Sequence, residues 1–240
     1  MEREEFIRKI KNGLIVSCYA GPDLNPEMGT PETMACMARS CVAGGAAAIR
    51  TNAQNVTAVR AVVDTPLIAI KKVYKDGYDG DFRITPTLKE VAELKSYGAD
   101  AIAIDGTIRE RYDDMTVQEF IRRIKEEYGM IVIADISTVE EGVTCWKAGA
   151  DFVGTTLSGY TPYSKNPIKF GTLPSPEPDY EIIRELREAG VENIIAEGRY
   201  SSGEMLKKAL DNGATAVVIG TSITMPSKIV KNILINAGLK

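Results

Sequence analysis

The sequence predicts one α/β domain over residues 1–240, a (β/α)8 TIM barrel of the phosphate-binding type, on three observations. The first is an internal repeat in which a helix-ending Gly-Ala precedes an apolar strand. It reads G-A-A-A-I-R from Gly45, G-A-D-A-I-A-I-D from Gly98, G-A-D-F-V-G-T-T from Gly149 and G-A-T-A-V-V-I-G from Gly213. The spacings of 53, 51 and 64 residues each accommodate two strand–helix units, a quarter-barrel period. The second is the length of 240 residues, close to the barrel norm of about 250. The third is the stretch from Asn193 to Thr224, which runs strand, Gly turn, amphipathic helix, Gly, strand, Gly turn. The loops after the last two strands of a barrel often cradle phosphate. A doubly wound open sheet is the competing architecture, but it rarely repeats so evenly.

The elements follow in order. The opening M-E-R-E-E-F-I-R-K-I-K-N-G has no long apolar run, so it reads as a helix over 2–12 at the barrel base rather than a signal peptide or membrane span. Four more apolar runs, Leu14 to Cys18, Leu67 to Ile70, Met130 to Ala134 and Ile194 to Ala196, alternate with the repeats and complete eight strands. A helix from Pro31 to Val42 begins with Thr30 as N-cap and Pro at its first position. Thr116 to Tyr128 carries Val117, Phe120, Ile121 and Ile124 on one face. Further helices are expected over Thr138 to Ala148 and over Gly203 to Asn212, the latter closed by Gly213. The prolines of 161–178 forbid a regular element, leaving a long loop after the sixth strand.

Composition narrows the chemistry. With 29 basic and 33 acidic residues, net −4, there is no electrostatic case for nucleic acid or an anionic membrane. The four cysteines, Cys18, Cys36, Cys41 and Cys145, form no C-x-x-C pair, so reduced cytoplasmic thiols are expected. There is no histidine. That excludes every His-based triad, removes the usual nitrogen ligand of zinc, and leaves acid–base work to Lys, Asp, Glu, Tyr or Cys.

Active sites of such barrels lie at the C-terminal strand ends. Those ends read Ser17-Cys18-Tyr19, Arg50-Thr51-Asn52, Lys71-Lys72, Asp105, Asp135, Thr155-Thr156, Glu197 and Gly220-Thr221. Any one charge there has an ordinary explanation as the point where a strand meets water. A ring of them is harder to dismiss. Strands 3 and 7 are diametrically opposite, so a lysine of the 71–72 pair and Glu197 face each other, as proton transfer on two faces of one substrate requires. Only one of Lys71 and Lys72 can point inward, and spacing does not choose. Asp135 has a rival structural role, accepting loop amides at the next helix.

These residues lie in a set of motifs, G-L-I-V-S-C, I-R-T-N, P-L-I-A-I-K-K, I-T-P-T-L-K-E-V, G-A-D-A-I-A-I-D, A-D-I-S-T-V-E-E-G, G-A-D-F-V-G-T-T-L-S-G-Y-T and I-I-A-E-G-R. As a combination, from about Gly13 to Pro226, they resemble the N-acetylmannosamine-6-phosphate 2-epimerase family (N-acylglucosamine-6-phosphate 2-epimerases). The resemblance implies epimerisation at C2 of an N-acylhexosamine 6-phosphate in sialic acid and amino-sugar catabolism, in the cytoplasm, with no metal or organic cofactor. It makes Lys72, Glu197 and Asp135 catalytic, with deprotonation of the open-chain sugar at C2 and reprotonation from the other face. Cys18, Tyr19, Arg50, Asp105, Thr156 and Tyr160 are then substrate-binding, and Gly198, Arg199, Gly220 and Thr221 phosphate-binding. The partner expected is the sugar phosphate, with neither nucleic acid nor membrane, and a homodimer stays open as the assembly. The chain departs from the family pattern at three places. Tyr19 stands for a glutamine, V-Y-K-D-G-Y-D-G-D follows Lys72, and Met225 replaces an arginine expected near the phosphate. Two rival readings are a Schiff-base aldolase using the same lysine and a non-catalytic sugar-phosphate-binding barrel.

Overall fold

Eight parallel strands close into a barrel in the order β1-β2-β3-β6-β7-β8-β9-β10 and back to β1, in a computed structural model that describes residues 1–20, 25–75, 82–168 and 176–239. Strands β1 (Leu14–Cys18), β2 (Ala48–Asn52) and β3 (Leu67–Ile70) are followed by a small antiparallel pair, β4 (Lys72–Tyr74) and β5 (Phe82–Ile84). The barrel resumes with β6 (Ala101–Asp105), β7 (Ile131–Asp135), β8 (Phe152–Gly154), β9 (Ile194–Glu197) and β10 (Ala216–Ile219). Around it run α2 (Pro31–Ala43), α3 (Val56–Arg60), α4 (Leu88–Ser96), α5 (Val117–Arg123, continued by a π-helical turn to Tyr128), α6 (Val139–Lys147), α7 (Glu181–Glu188) and α8 (Gly203–Asp211). The last elements are α9 (Thr221–Thr224) and α10 (Pro226–Asn236), separated at Met225, whose backbone leaves the helical region ahead of Pro226.

Local chemistry sets these boundaries. Thr30, Thr87, Thr116, Thr138 and Ser202 each cap a helix through the side-chain oxygen, and Thr87 and Thr138 complete capping boxes with Glu90 and Glu141. The four glycines of the repeat have φ of +99°, +95°, +98° and +104°, the left-handed turn that carries each helix into the next strand. Two residues on, the repeat shows its second function. Asp100 accepts from the Leu67 amide, Asp151 from the Val132 amide and Thr215 from the Ile194 amide, at 3.0, 2.9 and 3.1 Å. In three of the four repeats the motif therefore ties the chain to the first residues of a neighbouring strand.

The strands are apolar on both sides because they separate two cores. The outer core lies between barrel and helices, with Val16, Ile49, Ile102, Val132, Ile194 and Val217 facing Phe120, Ile121 and Ile183. The inner core fills the barrel with Ile15, Ala48, Ile68, Ala101, Ile131, Phe152, Ile195 and Val218. Helix α1 (Arg3–Ile10) closes the lower end. Its Phe6 and Ile10 are fully buried in the inner core, and the Phe6 ring lies 5.5 Å from that of Phe152. Of the Pro-rich loop at 161–178, residues 161–168 and 176–178 are described and form no helix or strand, while 169–175 lie outside the described residues.

Candidate active site

Strand parity decides which side chains reach the mouth. Ile68 and Ile70 belong to the inner core, whereas Leu67 and Ala69 belong to the outer one. Alternation then sends Lys71 outward and Lys72 inward. Lys71 Nζ accordingly binds Glu93 of α4 at 2.5 Å. Counted the same way, Ser17, Arg50, Asp105, Asp135, Thr156, Glu197 and Gly220 lie on the inner side at the C-terminal end.

Three of them form one buried ionic cluster. Arg50 Nη2 donates to Asp135 Oδ2 at 2.6 Å and Nη1 to Oδ1 at 3.3 Å, while Nη1 also lies 3.2 Å from Glu197 Oε2. The Thr156 hydroxyl stands 2.6 Å from Asp135 Oδ1 and 3.1 Å from Glu197 Oε2; its single proton serves one of them at a time. Burial works against the Arg50 charge, but Asp135 and Glu197 outweigh it and hold the guanidinium charged. Glu197 differs. Burial raises its pKa, Arg50 opposes that, Asp135 adds to it, and Thr156 and Lys72 lower it again, with a net upward shift. A carboxyl displaced toward neutrality is the one suited to exchange protons.

The backbone makes room for this cluster at Gly154. A Cβ there would lie 2.7 Å from Asp135 Oδ1 and 3.3 Å from Thr156 Oγ1. Asp135 does not take the structural role considered for it. The loop amides of Ser137 and Thr138 go to Glu141 instead, at 2.7 and 3.0 Å.

Lys72 opens β4, paired with Ile84, rather than ending β3. The β4–β5 pair carries it over the rim. Its Nζ sits 4.5 Å from the ring centroids of both Tyr19 and Phe82, a cation–π arrangement that orients the ammonium. Its charge is the weakest of the influences that draw the Glu197 pKa back down.

The remaining expected residues divide. Cys18 is turned away from the mouth, because its parity is that of Val16 in the outer core. The neighbouring Cys41 thiol of α2, together with burial, pushes its thiol pKa up, while that of Cys41 is lowered to about 7. Only the Cys18 backbone carbonyl serves the strand ends, accepting from Thr51 Oγ1 at 2.6 Å. Asp105 points inward but is held by Thr107 at 2.6 Å and Arg109 at 2.5 Å. Arg199, at φ +69°, spends its guanidinium on the carbonyls of Ser158 and Glu177 at 2.8 and 3.0 Å and lies over Tyr160. It lines a cleft of about 440 Å³ with Asp179, Tyr180 and Lys208 on the barrel flank. Gly198, at φ +114°, makes the turn after Glu197 that no other residue type adopts readily. Gly220 passes Ser17 so closely that a Cβ would lie 3.2 Å from Ser17 Cβ. Thr221 accepts from Lys228 Nζ at 3.0 Å. Arg109 and Phe82 were not anticipated; neither sits in a spacing that marks it. Among the described residues no cluster of Cys, Asp and Glu is arranged to hold a metal ion.

Comparison with known proteins agrees with this architecture. Residues 34–237 match the NanE family model, described as "Putative N-acetylmannosamine-6-phosphate epimerase". Two relatives are named "Putative N-acetylmannosamine-6-phosphate 2-epimerase". That of Caldanaerobacter subterraneus subsp. tengcongensis is 45% identical, over 95% of this chain and 92% of its own. That of Cutibacterium acnes is 41% identical, over 94% of both chains. The solved structure of N-acetylmannosamine-6-phosphate 2-epimerase from Clostridium perfringens superposes with a TM-score of 0.85 at 38% identity, over 96% of this chain and 95% of that one.

Proposed function

Because the chain belongs to the N-acetylmannosamine-6-phosphate epimerase family, we propose that it interconverts N-acetylmannosamine 6-phosphate and N-acetylglucosamine 6-phosphate. The observation that carries the mechanism is the Arg50–Asp135–Glu197 cluster with Lys72 across the mouth. In the open-chain sugar the C1 aldehyde acidifies the C2 proton. One of Lys72 and Glu197 removes it, and the other returns a proton to the opposite face. Glu197 suits both halves of that exchange, since its raised pKa keeps protonated and ionised forms closer in energy than for an ordinary carboxylate. Asp135 fixes Arg50, and Arg50 in turn presents a charge to the C1 oxygen on which the enolate develops. Thr156 bridges both carboxylates and can re-aim its proton as Glu197 changes state.

The reading places the protein in cytoplasmic amino-sugar catabolism. Among the described residues no helix is long and apolar enough to cross a membrane. The deciding experiment runs the reaction in heavy water and reads the product by proton NMR. One deuterium should enter at C2. Product formed without solvent label at C2 would rule out deprotonation in favour of a direct transfer.

A further inference from the structure

Resting on that function, we propose that Phe82 is a positioning residue, which with Tyr19 clamps the Lys72 ammonium between two ring faces at the mouth of the barrel. The pairing of β4 with β5 sets the geometry. Lys72 lies opposite Ile84 and Tyr74 opposite Phe82, so the four share one face of the ribbon. Phe82 is then the diagonal neighbour of Lys72, a separation that an aromatic ring and a long side chain bridge. Tyr19 comes from a different element, as the residue after β1. Nζ lies over both rings, 4.5 Å from each centroid. That is inside the ~6 Å reach of a cation–π contact.

The Phe82 ring is fixed in turn. Strands of three residues hold weakly on their own, and this ribbon is tied down along its length. Tyr74 packs on Phe82 with ring centroids 5.8 Å apart. Ile84 is buried in the inner core, and Phe82 and Tyr19 pack against that core. Arg83, on the other face, donates to the Glu110 carbonyl at 2.8 Å and lies over the Tyr112 ring. The Thr85 amide donates to the Lys71 carbonyl at 2.6 Å, and the Lys71 amide to Thr85 Oγ1 at 3.1 Å. Thr85 holds φ +45°, a conformation that a β-branched residue keeps only where its surroundings enforce it. A ring face suits this lysine for a chemical reason. It attracts the ammonium but offers no lone pair, so it orients the charge without taking its proton. Lys71, on the outer side, is held by the Glu93 carboxylate instead. Two of the chain's departures from the family pattern, Tyr19 and the segment after Lys72 that leads into Phe82, thus converge on one side chain.

The test replaces Phe82 in the full-length protein by phenylalanines carrying one, two and three ring fluorines, which draw charge from the ring face and keep its shape. Turnover of N-acetylmannosamine 6-phosphate is followed by NMR. The kcat should fall stepwise along the series, by about two- to fivefold at three fluorines, the worth of a part-exposed cation–π contact. KM should stay within about twofold. Phe82→Leu, which also frees the lysine stem, should lose between about fivefold and a hundredfold in kcat, and Phe82→Tyr should recover most of it. A role in packing alone would not follow the fluorines. A kcat that is flat along the series overturns the proposal, and so does a loss that falls on KM. A second readout needs no turnover. In lysine-labelled protein the ε-methylene of Lys72, assigned by its loss in Lys72→Met, should resonate upfield under the two ring currents and move back in Phe82→Leu. If wild type shows that shift yet forms no product, the epimerase reading fails and the clamp stands. A Lys72 resonance at the ordinary lysine position overturns the clamp whatever the turnover.

Discussion

Gly154→Ala tests whether the position of Asp135 matters. The new Cβ would lie 2.7 Å from Asp135 Oδ1, where ordinary contact begins at 3.4 Å, so something must yield by about 0.7 Å. The backbone is poorly placed to do so, since Gly154 and Asp135 are register partners in the closed barrel. The carboxylate moves instead, although Arg50 holds both of its oxygens and Thr156 holds Oδ1 at 2.6 Å. Overpacking of this kind costs about 1–3 kcal/mol, which for a barrel of this size lowers Tm by roughly 2–4 °C per kcal/mol. The catalytic loss should be larger in proportion, since a misplacement of about 1 Å can cost about a hundredfold in rate. Steady-state kcat/KM by NMR, beside thermal melts by circular dichroism, separates the two. Gly203→Ala is the control, because a Cβ at that helix start meets nothing within 4 Å. A Gly154→Ala enzyme that keeps kcat/KM within a factor of about three, with its Tm lowered as expected, would show that Asp135 need not sit where it does.

Two further outcomes follow from the same geometry. Lys72→Met should lower kcat by about 10²–10⁴, the usual range for a proton-transfer group. Lys71→Met loses only the half-exposed pair with Glu93, about 0–1 kcal/mol of stability, and a reversed ranking in kcat would refute the strand parity argued above. The raised pKa of Glu197 means the folded state holds that proton more tightly than the unfolded chain does. Its ionisation therefore costs stability as pH rises through the unfolded and then the folded pKa, and the cost is fully present above the folded value. Glu197→Gln should melt above wild type at pH 7–8, the gap closing as pH falls toward the ordinary carboxylate range, while losing turnover. A lower Tm at neutral pH would mean that the pair with Arg50 outweighs burial.

Much of the barrel was legible because it depends on local chemistry that recurs. Positive-φ glycines at 45, 98, 149 and 213 end helices wherever they occur, and Thr30 or Thr138 caps a helix without regard to what packs on it. The β4–β5 pair was not legible, because K-V-Y and F-R-I are too short to register as strands on their own. Side-chain direction was the other loss. A strand buried on both faces has no polar–apolar alternation to count from. Cys18 and Lys71–Lys72 could thus be placed at strand ends but not on a face. Arg199 shows a third limit. Beside the phosphate role that the resemblance implies, two of its donors bond the carbonyls of Ser158 and Glu177 in the loop after β8. Such partners are invisible until the chain has folded.

The aromatic plug at the foot of the barrel has an electrostatic consequence at the head. With Phe6 and Ile10 filling the lower lumen, solvent can reach Asp135 and Glu197 from one side only. The medium beneath the carboxylates is hydrocarbon, whose low polarisability amplifies every charge in the cluster above. Had the lumen been open, water would screen Arg50 from Asp135 and relax Glu197 toward its ordinary acidity. The upward shift of the Glu197 pKa is therefore supported by a phenylalanine at position 6, on the helix at the opposite end of the barrel.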